Sequence, residues 1–134
     1  MARLILDTSV LIGAERRAED LERAVEDEDD VAIAAITAAE LLVGVELASG
    51  KRRETRARYV EEVLATLTVE DYTFATARAH ADLLAEVHRS GRPRGAHDLV
   101  IAATAVATSR TLVTSDARGF ADLPRLELHL LGSG

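Results

Sequence analysis

The sequence contains no cysteine, which removes disulfide frameworks and thiolate metal sites from consideration. Aromatic residues make up only 3%, so a core has to be assembled from alanine, leucine, valine and isoleucine. No apolar run approaches the ~20 residues that cross a bilayer. The opening MARLILDTSV meets an acid too early for a signal peptide. The expectation is a cytoplasmic protein with no membrane segment. Lysine is nearly missing as well, since Lys51 is the only one and the other basic residues are arginine. A net charge of −7 sets up a long-range field that repels phosphate. Nucleic acid could be engaged only with a local source of positive charge.

What is present fits a globular chain. With 134 residues, 48% of them apolar and 29% charged, residues 1–134 read as one domain with a real core. Arg3 to Leu6 is a short apolar run stopped by Asp7-Thr8-Ser9, and Val10, Leu11, Ile12 and Ala14 begin a helix. A second helical segment is expected over Asp20 to Glu26. Val31 to Ile36 is continuously apolar, as a strand buried on both faces should be. Thr37 with Glu40 three residues on has the form of a capping box, opening a helix that Gly50 closes. Further helices are expected over Lys51 to Thr66, with Val60, Val63 and Leu64 inward, and over Thr73 to Arg89. The apolar stripe of the latter reads as Phe74, Ala77, Ala81, Leu84 and His88. A brief strand near Leu67 to Val69 lies between them.

After the loop Ser90–Gly95 comes GAHDLVIAATAVATSRTLVTSD, residues 95–116. Its middle is apolar nearly all round, the mark of a buried helix. The chain turns at Ser109-Arg110 into a β-prone run, Thr111 to Thr114, that ends on Asp116. A turn at Pro124 precedes a last strand around Leu126 to Leu130. Short apolar strands alternating with helices imply an α/β domain, a mostly parallel sheet covered on both faces. Ligands in such folds sit at the carboxyl ends of the strands. Asp7, Thr37 with Glu40, and Asp116 fall at that edge, and Asp98 opens a helix that can face it.

Each acid alone has a structural explanation as a helix cap or a dipole complement. Together they raise an electrostatic problem. Carboxylates about 5 Å apart repel by about 3 kcal/mol per pair at an effective dielectric near 20. Such a cluster needs a raised pKa or a cation. Oxygen-only ligands favour Mg²⁺ or Mn²⁺. An ion of that kind lowers the pKa of bound water and braces a phosphoryl transition state, so phosphodiester hydrolysis is the natural chemistry. The ion would also supply the positive field that the net charge lacks.

Other motifs carry less. Asp27-Glu28-Asp29-Asp30 reads as a solvated loop, because neighbouring side chains diverge and a calcium loop needs a glycine at its turn. Gly44 to Lys51 misses the phosphate-loop spacing by one residue, and Arg52 stands where Ser or Thr is required. His97 reads as a hydrogen-bonded or exposed histidine. Lys51, Arg52, Arg53, Arg56 and Arg58, interleaved with Glu54, read as a salt-bridged surface face.

Asp7-Thr8-Ser9, Thr37-Ala38-Ala39-Glu40-Leu41-Leu42-Val43-Gly44, Asp98-Leu99-Val100-Ile101-Ala102-Ala103-Thr104-Ala105 and Leu112-Val113-Thr114-Ser115-Asp116 resemble, in order and spacing, the successive motifs of PIN-domain ribonucleases. The subset resembled is the VapC-type toxin of bacterial toxin–antitoxin pairs. The resemblance spans nearly the whole chain. It implies an α/β/α sandwich, a Mg²⁺ or Mn²⁺ site, RNA cleavage that inhibits translation, a homodimer and a VapB-like antitoxin. Asp7, Glu40, Asp98 and Asp116 would form the acidic quartet, both catalytic and metal-binding, with Thr8, Ser9, Thr37, Thr114 and Ser115 in support. Ala117 and Arg118 follow the last acid, so no fifth ligand is expected there. The implied reaction is in-line attack of water on phosphorus, leaving a 5′-phosphate and a 3′-hydroxyl. Arg92 and Arg94, in the loop before Asp98, are the candidate RNA contacts.

Two alternatives remain open at this level. A phospho-acceptor receiver domain shares strand-end acids and a bound Mg²⁺, but needs a lysine after a late strand where this chain has none. A catalytically inactive PIN-like module that binds RNA or a partner would not need all four acids.

Overall fold

A strand covered on both faces must be apolar at consecutive positions, and Leu4, Ile5 and Leu6 are all buried. They belong to β1 (Arg3–Leu6), the central strand of the computed structural model, which describes residues 1–16, 22 and 25–131. Around it lie β2 (Asp30–Ala34), β3 (Thr68–Glu70), β4 (Thr111–Thr114) and β5 (Leu128–Leu130). The sheet order is β3-β2-β1-β4-β5, and every pairing among the described residues is parallel. Leu4 stands opposite Val31 on one side and Thr111 on the other.

Strand alternation divides the core in two. Ile5, Ala34 and Leu112 face a cluster with Ala79 and Leu83 of α4 (Phe74–Ser90), Leu99 and Ile101 of α5 (Ala96–Thr108), and Phe120. Leu4, Leu6, Ile33 and Val113 face the other cluster. There they meet Val10 and Leu11 of α1 (Thr8–Arg16), Leu41 of α2 (Ala35–Leu47), and Val60 and Val63 of α3 (Gly50–Thr66). The result is an α/β/α sandwich, with the sheet parallel throughout rather than mostly so.

Several boundaries depart from the sequence expectation. The second strand ends at Ala34, not Ile36, and α2 begins at the next residue with Ala34 as N-cap and no side-chain capping bond. Thr37 therefore lies inside the first turn of the helix, fully buried, and the expected Thr37–Glu40 capping box does not form. The chain passes from strand to helix without a loop, which leaves no room for a separate cap. The helix ends at Leu47, and Gly50 (φ +62°) opens the following helix instead of closing this one. A capping box does form on α4, where the Thr76 N–H donates to Thr73 Oγ1 and the Thr73 N–H to Thr76 Oγ1.

Helix α4 turns a different face inward from the one expected. Its buried side chains are Thr76, Ala79 and Leu83, and Phe74 and Leu84 of the expected stripe are 72% and 38% exposed. The Arg78 guanidinium covers the Phe74 ring at 4.8 Å, so the aromatic is used on the surface. The helix expected over Asp20 to Glu26 falls mainly outside the described residues. Among those described, no helix is long and apolar enough to cross a membrane.

Arg110 was not foreseen as a core residue. Helix α5 ends on Ser109 in the left-handed conformation (φ 55°), and Arg110 follows, only 5% exposed. It donates Nη1 to the carbonyls of Leu4 (3.1 Å) and Asp30 (2.9 Å), and Nε to Glu70 Oε2 (3.1 Å). One guanidinium thus ties the start of β4 to β1, β2 and β3. Removing one member of a buried ion-paired group typically costs 3–5 kcal/mol. Both carboxylates here are part-exposed and can be rehydrated, so Arg110→Met is expected to lose about 3 kcal/mol. Urea unfolding measures this, and a loss well under ~1 kcal/mol would show the network to be dispensable.

Candidate active site

β1 sits between β2 and β4, so the chain leaves the central strand toward one side of the sheet and returns on the other. The carboxyl ends of β1 and β4 therefore flank a crevice, the usual ligand position in an open parallel sheet. Asp7 follows β1 directly. Its N–H continues the ladder to Val113 O at 2.9 Å, which aims the side chain into that edge, and it is 5% exposed. Three donors hold its carboxylate: the Thr8 N–H on Oδ1 (2.8 Å), and the Ser9 and Thr114 hydroxyls on Oδ2 (2.7 and 2.8 Å). Hydrogen bonds to an ionised acceptor are the strong ones, so the pose is well fixed.

The same hydroxyls join the two strand ends. Thr114 Oγ1 accepts the Asp116 N–H at 3.0 Å, and the Ser115 hydroxyl donates to Ser9 Oγ at 3.0 Å. Asp116 Oδ1 accepts the Arg118 N–H at 3.1 Å, an Asx-type turn that steadies the acid from its own loop. On the far side, Thr8 Oγ1 donates to Glu40 Oε1 at 2.8 Å and lies 3.2 Å from the buried hydroxyl of Thr37. Thr37 is thus a support behind Glu40 rather than its helix cap. Glu40 Oε2 lies 3.4 Å from Nδ1 of His97, a partner that the sequence reading left without a role.

Asp98 enters from the first turn of α5. Its pKa is raised, first by burial and then by the charges of Asp7, Asp116 and Glu40, with His97 opposing. The other three acids foreseen from sequence therefore bear on Asp98. Among the described residues, however, no three Asp, Glu or His side chains are drawn together as a formed metal cage. The donor set is all oxygen and mostly carboxylate. It fits a hard divalent cation that keeps part of its water shell and takes only a few protein ligands, as Mg²⁺ does.

The two arginines are engaged with the loop after β4. Arg94 donates Nη1 to Arg118 O at 3.5 Å and Nη2 to Ala121 O. Arg92 Nη1 lies 3.2 Å from Asp122 Oδ2, with both side chains largely exposed. The partner of Arg92 is a surface carboxylate that solvent can replace, whereas those of Arg94 are main-chain carbonyls. Sequence reading also passed over Gly95 and Gly119, both of which stand against Asp98. No residue-type pattern signals such an approach.

The family model described as the PIN domain matches residues 4–126, and the chain belongs to that family. Within it, the chain stands with the VapC ribonucleases. It is 28% identical over 126 residues to ribonuclease VapC of Rickettsia bellii, covering 93% of each chain. It is 30% identical over 122 residues to the tRNA(fMet)-specific endonuclease VapC of Shigella flexneri, covering 90% of this chain and 91% of that one. The DNA-bound VapBC structure from Salmonella typhimurium superimposes with a TM-score of 0.88 at 27% identity, over 98% of this chain and 100% of that one. The receiver-domain alternative is set aside by this membership.

The raised pKa of Asp98 has a stability consequence. Between the ordinary aspartate value of 3.8 and the raised one, the folded protein binds more protons than the unfolded chain. Stability of the metal-free protein then falls as pH rises through that window, and the ionised Asp98 is a net cost at neutral pH. Asp98→Asn is accordingly expected to raise the thermal midpoint at pH 7 in EDTA and to flatten the acid-side gain. A melt series in which the variant is no more stable than wild type at pH 7 would contradict this.

Proposed function

We propose that this chain is a Mg²⁺- or Mn²⁺-dependent endoribonuclease, the toxin of a VapBC-type pair that inhibits translation by cleaving RNA. The observation that carries the reading is the geometry at one sheet edge: Thr8 bonds to the Asp7 and Glu40 carboxylates, Thr114 bonds to the Asp7 carboxylate and the Asp116 N–H, and the Asp98 and Asp116 carboxylates both lie against Gly119. Asp7, Asp98 and Asp116, with Glu40, would hold the ion. When bound, it would supply an acidified water and positive charge for the phosphodiester.

The chain's own residues have separable tasks in this scheme. Thr8, Ser9 and Thr114 keep Asp7 in a single pose. Ser115 and Ser9 close the hydroxyl bridge beneath the crevice. Thr8 and His97 hold Glu40 from its two oxygens. None of these groups needs to change protonation for an in-line attack that leaves a 5′-phosphate and a 3′-hydroxyl. Arg92 stands beside the crevice loop as the residue for an RNA phosphate, a contact that exchanges one exposed carboxylate partner for another anion.

A VapB-like antitoxin and a second copy of the chain complete the reading. Its support is the likeness to solved VapBC complexes, together with apolar side chains left on the surface. Ile12, Leu42, Val43 and Leu47 lie exposed on the first two helices, and Phe74 and Leu84 on α4. These faces give partner chains apolar surface to cover.

Asp7→Asn and Asp98→Asn are each expected to lower RNA cleavage by at least about 100-fold, the scale of removing one charged group aimed at the reacting centre. Excess EDTA should do the same to wild type, with Mn²⁺ restoring it. Gel assays on total tRNA and messenger RNA would test this, with circular dichroism to establish that the variants are folded. Full cleavage by Asp98→Asn, or full wild-type activity in EDTA, would refute the proposal.

A further inference from the structure

The loop after β4 comes up against Asp98. A Cβ placed on Gly119 would lie 2.7 Å from Asp98 Oδ2, 3.2 Å from its Cγ and 3.7 Å from Asp116 Oδ2. On the other side, a Cβ on Gly95, the N-cap of α5, would lie 3.1 Å from the same Oδ2. One carboxylate oxygen is thus seated between two glycines. Gly119 is not in the left-handed region, so its backbone conformation would accept alanine. What is missing at that position is space, and it is occupied by a site acid.

The loop itself is anchored on both sides of Gly119. Arg94 binds the carbonyls of Arg118 and Ala121. Phe120, the next residue, is 1% exposed in the core, and Ala121 N–H bonds to Ala117 O at 2.9 Å. A loop tied down in this way cannot easily retreat from an added methyl group. The element free to give is the end of the Asp98 side chain.

We propose that Gly119 is a positioning residue: a bare backbone shelf, clamped by Arg94, that sets where the Asp98 carboxylate stands relative to Asp116. The proposal rests on the reading of the four acids as the cation site and deepens it. It places a determinant of that site's geometry at a residue with no functional group. Supporting groups around metal ligands typically change metal affinity by about 10- to 100-fold when altered, and a shift of about 1 Å at a reacting centre costs about 100-fold in rate.

The test compares wild type with Gly119→Ala, Gly95→Ala and, as control, Gly13→Ala, whose added Cβ meets nothing within 4 Å. Crystals of wild type and Gly119→Ala in one form report the position of the Asp98 carboxylate. Calorimetry with Mn²⁺ alone and thermal melts accompany them. Gly119→Ala is expected to move that carboxylate while keeping a wild-type melting midpoint, and to weaken Mn²⁺ binding about 10-fold or more. Gly95→Ala should act in the same direction but less, and Gly13→Ala should leave Mn²⁺ binding unchanged. Arg94→Met should weaken Mn²⁺ binding as well. A rise in KM for RNA with unchanged Mn²⁺ affinity would instead assign its guanidinium to substrate and remove the clamp. An unmoved Asp98 carboxylate, or wild-type Mn²⁺ affinity in Gly119→Ala, would overturn the proposal. Absence of Mn²⁺ heat in wild type would defeat the cation reading, and the crystal comparison would then still decide the role of Gly119.

Discussion

The carboxylate of Asp7 is buried at the end of the central strand, where an unpaired charge would be costly. It accepts hydrogen bonds from both sides of the crevice: Thr8 and Ser9 on its own chain segment, and Thr114 from the neighbouring strand. The rest of the site hangs on this arrangement. Thr114 also receives the Asp116 N–H and Ser9 receives the Ser115 hydroxyl, so the donors that make Asp7 tolerable also align the end of β4. Thr8, through its side chain, reaches Glu40 on α2. Three chain segments distant in sequence are thereby registered by one buried anion and four small hydroxyl residues. Short side chains suit this task because they lose little rotamer freedom when fixed.

Much of this was legible in the chain. The apolar runs at Arg3–Leu6 and Val31–Ile36 read as strands, the second covered on both faces, and the apolar run after Asp98 as a buried helix. Strand-end acids in a parallel sheet then have to share an edge. The failures have local physical causes. Thr37 and Glu40 have the spacing of a capping box, but β2 passes into α2 with no intervening residue, so the hydroxyl went to the site instead. Phe74 suggested the inward face of α4 because it is large and apolar, whereas the helix turns Thr76, Ala79 and Leu83 inward and leaves Phe74 outside beneath Arg78. Arg110 and Gly119 had no signature at all. A buried arginine looks like any other arginine in sequence, and the approach of a glycine to a carboxylate is a tertiary event.

The arginines also resolve a tension in the composition. A chain of net charge −7 was expected to have little to offer a polyanion, and part of its positive charge is in fact spent internally. Arg110 is sunk in the sheet, and Arg94 is committed to backbone carbonyls of the crevice loop. These are structural uses of a planar, permanently charged donor that a lysine could not reproduce. The near absence of lysine is compatible with such a fold but does not by itself point to nucleic acid. On the proposed function, a divalent cation would supply the positive charge that this acidic edge lacks.

Asp98 shows how the fold holds a charge that its surroundings resist. Burial and three neighbouring acids oppose its ionisation, and in the absence of a cation the carboxylate would gain by swinging away. It is prevented from below by α5, whose Ala102, Ala103 and Ala105 are fully buried and leave the helix no freedom to roll. At its sides, Gly95 and Gly119 leave the room for its Oδ2 that a Cβ at either position would take. Small residues therefore do for this acid what hydroxyls do for Asp7. One acid is held by bonds made to it, the other stands in space that two glycines leave open.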